Sequence, residues 1–300
     1  MKLIKLSSIL ILITSILVTS CTNDAIEDID DTYIHIPDNH FETILIAQGI
    51  DSDGIVNQQM LKSEAEEITQ LNLNLSANFG QIIDLTGIES FTNITSLYAA
   101  GQKIKNIDLS YNTKLDTIYL NGNQLTTIDI SNNANLILLD IQSNELSTIN
   151  GLSTSKKLNN VNLSFNNFEE ININNEAIEV LLISHNLLKS IDTNDAVNLK
   201  NIFIILNELE TVDFSSNILL KTLVISGNKL NHLNLENNTN LTHLYSSSNL
   251  LTNLDVSNNP ELIDMRVDRN PDLSCIKIKS GQKIPTISLS DYQELNTVCN

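Results

Sequence analysis

Side chains able to do chemistry are abundant in one class in this 300-residue sequence and sparse in every other: 36 carboxylates stand beside five histidines and three cysteines. His35, His40, His185, His232 and His243 are scattered without metal-ligand spacing, and no nucleophile elbow, phosphate-binding loop or HExxH helix is present. Cys21, Cys275 and Cys299 lie towards the two ends, so the body of the chain has no thiol for a nucleophile or a metal cluster. Carboxylates remain. Asp51-Ser52-Asp53-Gly54 has the look of a calcium loop, but Gly54 comes too early for an EF-hand and Lys62 stands where its closing Glu belongs, which favours a turn. A second set, Asp108, Asp129, Asn150, Asn172, Asp192, Asp213, Asn234 and Asp255, recurs at a fixed interval. Carboxylates one strand apart, at about 4.8 Å, repel by roughly 0.9 kcal/mol even in water, and calcium bridging would relieve this. Because Asn interrupts the row, a solvated polar face is the simpler reading. Neither catalysis nor a resident metal or cofactor is expected.

That fixed interval belongs to the elements that position these side chains. In Leu115 to Asn135, apolar residues fall at Leu115, Ile118 and Leu120 with Asn123 following, and the figure repeats as Leu125, Ile128, Ile130 and Asn133. Units with this L-x-x-L-x-L-x-x-N figure begin at Ile94, Leu115, Leu136, Leu158, Ile178, Leu199, Leu220, Leu241 and Leu262, a step of 21 with one 22 and one 20. A fixed period in the twenties marks a solenoid, and the alternation within each half-unit is that of a strand. LDTIYLNGNQLTTIDISNNAN, LKTLVISGNKLNHLNLENNTN and LTHLYSSSNLLTNLDVSNNPE resemble the 21-residue nested bacterial leucine-rich repeats called the IRREKO class, and the spacing at Asp84-Leu85-Thr86-Gly87-Ile88 and at Ile149 to Leu152 is similar to the internalin type. The expected fold is a leucine-rich repeat solenoid, mainly β with parallel sheets on two faces, a short α-helical amino-terminal cap and a small carboxy-terminal cap.

Within the array the ninth-place asparagines, Asn123, Asn144, Asn166, Asn186, Asn207, Asn228, Asn249 and Asn270, are expected to turn inward and satisfy loop main-chain groups, with Gln102 in their place in the first regular unit. A second row keeps Asn112, Asn133, Asn217, Asn238 and Asn259, but Thr154, Glu176 and Ala196 interrupt it in three central units. The second face should be distorted there, through drift or as a local bend or docking place. On the first face the outward residue of each strand gives Tyr98, Tyr119, Asp140, Asn162, Leu182, Phe203, Val224, Tyr245 and Arg266, flanked by Val180, Ile205 and His243. Val180, Leu182, Phe203, Ile205 and Val224 would form a contiguous apolar patch. Such patches mark interaction surfaces, although β-branched and aromatic residues also favour strands for their own sake.

The ends have a different texture. Met1 to Ser20 joins a positive start to the apolar run SILILITSILVTS, as in an export leader, and is too short to favour a permanent membrane span. Val18-Thr19-Ser20-Cys21 resembles a bacterial lipobox, which implies cleavage before Cys21 and its lipidation; an ordinary secretory leader is the alternative. Residues 21–32 form an acidic tether, similar in composition to the export signals of some Bacteroidetes surface lipoproteins. Residues 33–67 resemble the caps of envelope repeat proteins from that group, with a helix capped by Asp38 and stopped at Gly49 and a second helix over Gln58 to Glu66. The solenoid is placed at 68–272 and the closing cap at 273–300. Cys275 and Cys299 bracket that cap in a compartment where a bridge persists, and the resembling proteins often close with two cysteines.

Net charge is -19 over the chain and near -21 without the leader, 36 acids against 15 bases. That opposes nucleic-acid binding, which needs cations on phosphates, and attraction to anionic lipid. The resemblance implies a lipid-anchored protein of the bacterial envelope, at the outer membrane or cell surface, that touches membrane through its anchor and recognises a protein or glycan with its first face. The alternative is a structural or assembly scaffold with no dedicated ligand.

Overall fold

The computed structural model describes residues 32–74 and 80–299. The leader, Cys21 and the tether before Thr32 lie outside the described residues. Each repeat contributes one short strand to a single parallel ladder of eleven, from Gln70–Asn72 through Ser96–Tyr98, Thr117–Tyr119 and their successors to Thr286–Ser288. The middle residue of each strand points inward: Leu97, Ile118, Leu139, Val161, Leu181, Ile202, Leu223, Leu244 and Met265 are all at most 1% exposed. The residues on either side face out, as a period of two requires. Register never slips along the first ladder. Tyr98 pairs with Tyr119, Tyr119 with Asp140, Asp140 with Asn162, and so on to Arg266 and Ser288.

Side-chain amides lock successive turns together. Asn144 Nδ2 donates to the carbonyls of Ile141 in its own turn (3.0 Å) and Leu120 in the turn before (3.0 Å), while its Oδ1 accepts from Leu125 N–H (3.0 Å). The ninth-place row from Asn123 to Asn270 repeats this pattern, as expected. Glutamine does the same work at the ends. Gln102 accepts from Gln81 and Ile82 N–H and donates to Leu73 carbonyl, and Gln293 closes the other end by donating to Val267 carbonyl. Its extra methylene suits the longer reach to an end turn of irregular path.

The second face carries the expected parallel pairing, but in pieces. Its strands form short ladders, Thr127–Asp129 with Thr148–Asn150, Glu170–Asn172 with Ser190–Asp192, and Leu254–Asp255 with Cys275–Lys277 and Glu294–Asn296, and no continuous sheet. Nor is the second amide row lost where Thr154 and Glu176 suggest. Ser155 Oγ donates to Asn133 carbonyl, and Asn175 Nδ2 donates to the Leu152 and Ser155 carbonyls. The donors have slipped one residue, in opposite directions, to absorb the 22- and 20-residue steps. Only Ala196 lacks a donor, and there Thr193 Oγ1 reaches Asn217 Oδ1 (2.8 Å). The break between Asn150 and Glu170 opens a cleft of about 870 Å³ lined in part by Ile149, Leu152, Phe168, Ile171 and Ile191.

At the amino end, β1 (Tyr33–His35) pairs antiparallel with β2 (Gln59–Leu61), and α1 (Asn39–Ala47) and α2 (Lys62–Glu67) follow β1 and β2 in turn. The second helix starts later than its sequence suggests, because Met60 is buried as the centre of β2. Asp38 joins cap to solenoid: Oδ1 caps α1 through His40 and Phe41 N–H, and Oδ2 accepts from Ile83 and Asp84 N–H. Phe41 meets Phe91 at 6.2 Å. Stacking continues beyond Asp272, with Thr286–Ser288 on the first ladder and Glu294–Asn296 on the second face. A Cys275–Cys299 disulfide, Cα atoms 5.8 Å apart, ties this last turn.

Candidate interaction face

The constant register of the first ladder gathers side chains 21 residues apart into a line. At its amino-terminal part, Tyr98 and Tyr119 stack with ring centroids 5.3 Å apart and planes 12° from parallel. Asp140 and Asn162 follow; burial pushes the Asp140 carboxyl up, offset in part by Gln142 N–H and the Asn162 side chain. Next come Val180, Leu182, Phe203 and Ile205, all half-buried. Val224 differs from expectation. At 5% exposure it is a small residue sunk between its register partners Phe203 and Tyr245, so it adds little free surface.

The carboxy-terminal part is a polar network. Arg266 lies 4.4 Å from the centroid of the Tyr245 ring and bridges Asp264 at 3.1 Å, while Tyr245 Oη donates to Asp264 at 2.7 Å. Burial pushes the Asp264 carboxyl up, but the donors Arg266 and Tyr245 outweigh it and hold it below the usual range. That hydrogen bond also raises the Tyr245 hydroxyl. His243 Nδ1 sits 2.9 Å from Thr242 Oγ1 and presents its ring edge-on to Tyr245. Aromatic and guanidinium groups held this way offer flat, preorganised contact area. Between Val180 and Ser247 no outward strand position carries a carboxylate, in a chain with 36 of them.

One feature of this rim was hidden in the repeat figure. The residue before each ninth-place Asn adopts a left-handed conformation: Gly101, Gly122 and Gly227 do so readily, but so do Phe165 (φ 56°), His185 (φ 56°) and Leu206 (φ 53°). Phe165 and Leu206 are half-exposed, and the Phe165 and His185 rings stack at 4.2 Å. Bulky residues pay roughly 1–2 kcal/mol there relative to glycine. They occur in three consecutive turns beside Leu182 and Ile205. The visible signal is three large residues where neighbouring units have Gly or Ser.

The second-face acids have local employment. Asp108, Asp129, Asp213 and Asp255 each accept from the N–H two residues on, at Ser110, Ser131, Ser215 and Ser257. Hydrogen bonds from Ser110, Ser131 and Ser215 lower the carboxyls of Asp108, Asp129 and Asp213. Among the described residues no three His, Cys, Asp or Glu side chains converge to hold a metal. Asp53 likewise accepts from Ile55 N–H, so Asp51 to Gly54 is a turn.

No protein-family model and no curated protein matches the sequence. Among solved structures the chain is similar to the functional domain of InlJ from Listeria monocytogenes, with a TM-score of 0.71 at 23% identity over 88% of this chain. It spans 62% of the length of that domain. That domain includes a cysteine ladder; this chain has no cysteine between Cys21 and Cys275 and stacks asparagines instead. Internalin C2 of the same organism matches with a TM-score of 0.57 at 19% identity, over 69% of this chain and 95% of the internalin. The architecture built up residue by residue above is thus that of the internalin-like leucine-rich repeat solenoids.

Proposed function

We propose that this chain is a binding or adhesion protein that engages a protein or glycan through its first face, held at the bacterial envelope by lipid on Cys21. The observation that carries this reading is the line from Tyr98 to Arg266: stacked tyrosines, an aliphatic and aromatic centre, and a Tyr245–Arg266 pair, without a carboxylate over its central stretch. Interfaces are enriched in aromatic residues and Arg and depleted of acids at their centre, and this face departs from the rest of the chain in that direction. The bulky left-handed rim residues extend the same surface.

Tyr119→Ala, Phe203→Ala and Tyr245→Ala combined should weaken capture on glycan arrays and from envelope extracts by at least about 30-fold, since anchors of this kind carry about 2 kcal/mol each. Circular dichroism should be unchanged. Unaltered capture would instead favour a scaffold without a dedicated ligand. Anchoring is tested separately by metabolic labelling with an alkyne fatty acid, which Cys21→Ala should abolish.

A further inference from the structure

We propose that the amino-terminal cap binds a calcium ion on Asp51 and Glu42. Asp51 follows α1, is 2% exposed, and has no hydrogen-bond donor to either carboxylate oxygen. Glu42 on α1 is fully buried. Its Oε1 accepts from the main-chain N–H of Asn57 (3.0 Å) and Gln59 (3.2 Å), which closes the loop before β2 around it, yet its Oε2 has no partner. Buried polar atoms are nearly always satisfied, and three bare carboxylate oxygens in one small cap are a pointed exception.

The neighbouring acids do not relieve them. Asp53 is occupied by Ile55 N–H and the Asn57 amide, and Glu64 Oε1 takes the Ser52 hydroxyl. Burial, and then the negative potential of Asp53, Glu42 and Glu64, pushes the Asp51 carboxyl up to about 6; the Asp53 N–H, too poorly placed to make a hydrogen bond, offsets only part of this. A single shared proton serves two oxygens at most, whereas a cation with its water shell offers a partner to each. Oxygen-only donors in an irregular arrangement suit calcium; magnesium demands a near-ideal octahedron and zinc prefers nitrogen and sulfur. With two carboxylates the remaining ligands are water and main-chain carbonyls, which places the site in the weak class, with Kd on the order of 10⁻⁴–10⁻³ M. The second-face aspartates form no such site, because their oxygens already hold their own turns.

The full-length chain, stripped with a chelator, is titrated with calcium chloride by calorimetry and by thermal unfolding. One ion per chain is expected, with a melting temperature a few degrees higher at calcium about tenfold above Kd. Asp51→Asn and Glu42→Gln should each remove that response, and Asp129→Asn, taken from a second-face turn, should leave it intact. No heat and no shift at 10-fold the weakest expected Kd, an undiminished response in Asp51→Asn, or an equal loss in Asp129→Asn would each overturn the site. Should the cap variants fail to fold, europium luminescence on the unsubstituted chain decides: one bound ion competed off by calcium supports the site, and its absence overturns it. An Asp51 titration near pH 6 that calcium does not move would identify a shared proton in place of the ion.

Discussion

Removing one ladder amide should cost more in the first row than in the second, and the bonding patterns say by how much. Asn144→Ala leaves the Leu125 N–H bare and takes one donor each from the Leu120, Ile141 and Gln142 carbonyls, which keep the Asn123 amide, the Asn166 amide and the Gly122 N–H. At about 1–3 kcal/mol for the buried N–H left bare and about 1 kcal/mol for each of the two buried carbonyl bonds lost, the loss is about 4 kcal/mol. Asn238→Ala loses two bonds but bares no group, because the Phe214 and Asn217 carbonyls keep the N–H of Asn217 and of Leu220, and it also removes a buried Oδ1 that has no donor. Its expected loss is about 2 kcal/mol. Asn135→Ala, which breaks two exposed bonds, to the Thr113 carbonyl and from Lys157 Nζ, should stay within about 0.5 kcal/mol. Urea unfolding with matched m-values orders the three. Because long repeat arrays can lose cooperativity, hydrogen exchange at Leu125 N–H supplies a local measure, and protection there should fall in Asn144→Ala alone. Equal costs in the two rows, or retained protection at Leu125, would refute the assignment of the first-row amide as a three-way clamp.

Two further outcomes follow from single positions. Gly151 has φ 88°, and a Cβ built there would stand 2.3 Å from Ser131 N and 2.6 Å from Ile130 C, whereas Gly281 at φ 81° has nothing within 4 Å. Gly151→Ala should therefore lose about 3 kcal/mol or more, and Gly281→Ala about 1 kcal/mol, in thermal unfolding; similar losses would mean the second face yields at its break. In chelator, stability should depend on pH through Asp51. Its folded carboxyl is raised from 3.8 to about 6, so the native state favours the proton and this contribution is full below about pH 4 and lost as pH rises through 6. Asp51→Asn should flatten that window by on the order of 3 kcal/mol, and an unchanged profile would remove Asp51 as its source.

What the sequence made legible was the part set by repetition. Leu115, Ile118 and Leu120 announce a strand by spacing alone, and Asn123 announces its own job, because an amide at a fixed place can only meet the same main-chain groups each time. The second face was harder because its steps vary. Ser155 and Asn175 occupy the ladder where position counting nominates Thr154 and Glu176, since geometry needs a donor near the neighbouring carbonyls and tolerates a one-residue slip. Val224 is sunk for a related reason. Facing outward is a property of the strand, but exposure depends on the register partners, and two aromatic neighbours overshadow a valine. The unpartnered carboxylates of Asp51 and Glu42 could not be read at all without the loop that closes over them.

The division of labour along the repeat explains why charge and function separate. Acids are tolerated on the second face because each turn there begins with an N–H that a carboxylate can accept, as Asp129 does from Ser131 at 2.8 Å, so the negative charge that favours solubility also closes turns. The first face has that need only in its amino-terminal part, where Asp140 and Asn162 accept from the Gln142 and Ser164 N–H. From Val180 onward its strands satisfy their main chain by pairing with the turns on either side, which leaves most outward side chains there free of structural duty. A carboxylate would there gain only repulsion from its register neighbours. Over Val180 to Ser247 that freedom is taken up by aliphatic, aromatic and hydroxyl groups, and the rim beside it keeps Phe165, His185 and Leu206 against their backbone preference. Substituting glycine at those three rim positions sharpens the question: relief of left-handed strain alone would raise stability, by about 1 kcal/mol each, so a gain in melting temperature accompanied by lost capture would show that the bulk is retained for contact and against stability.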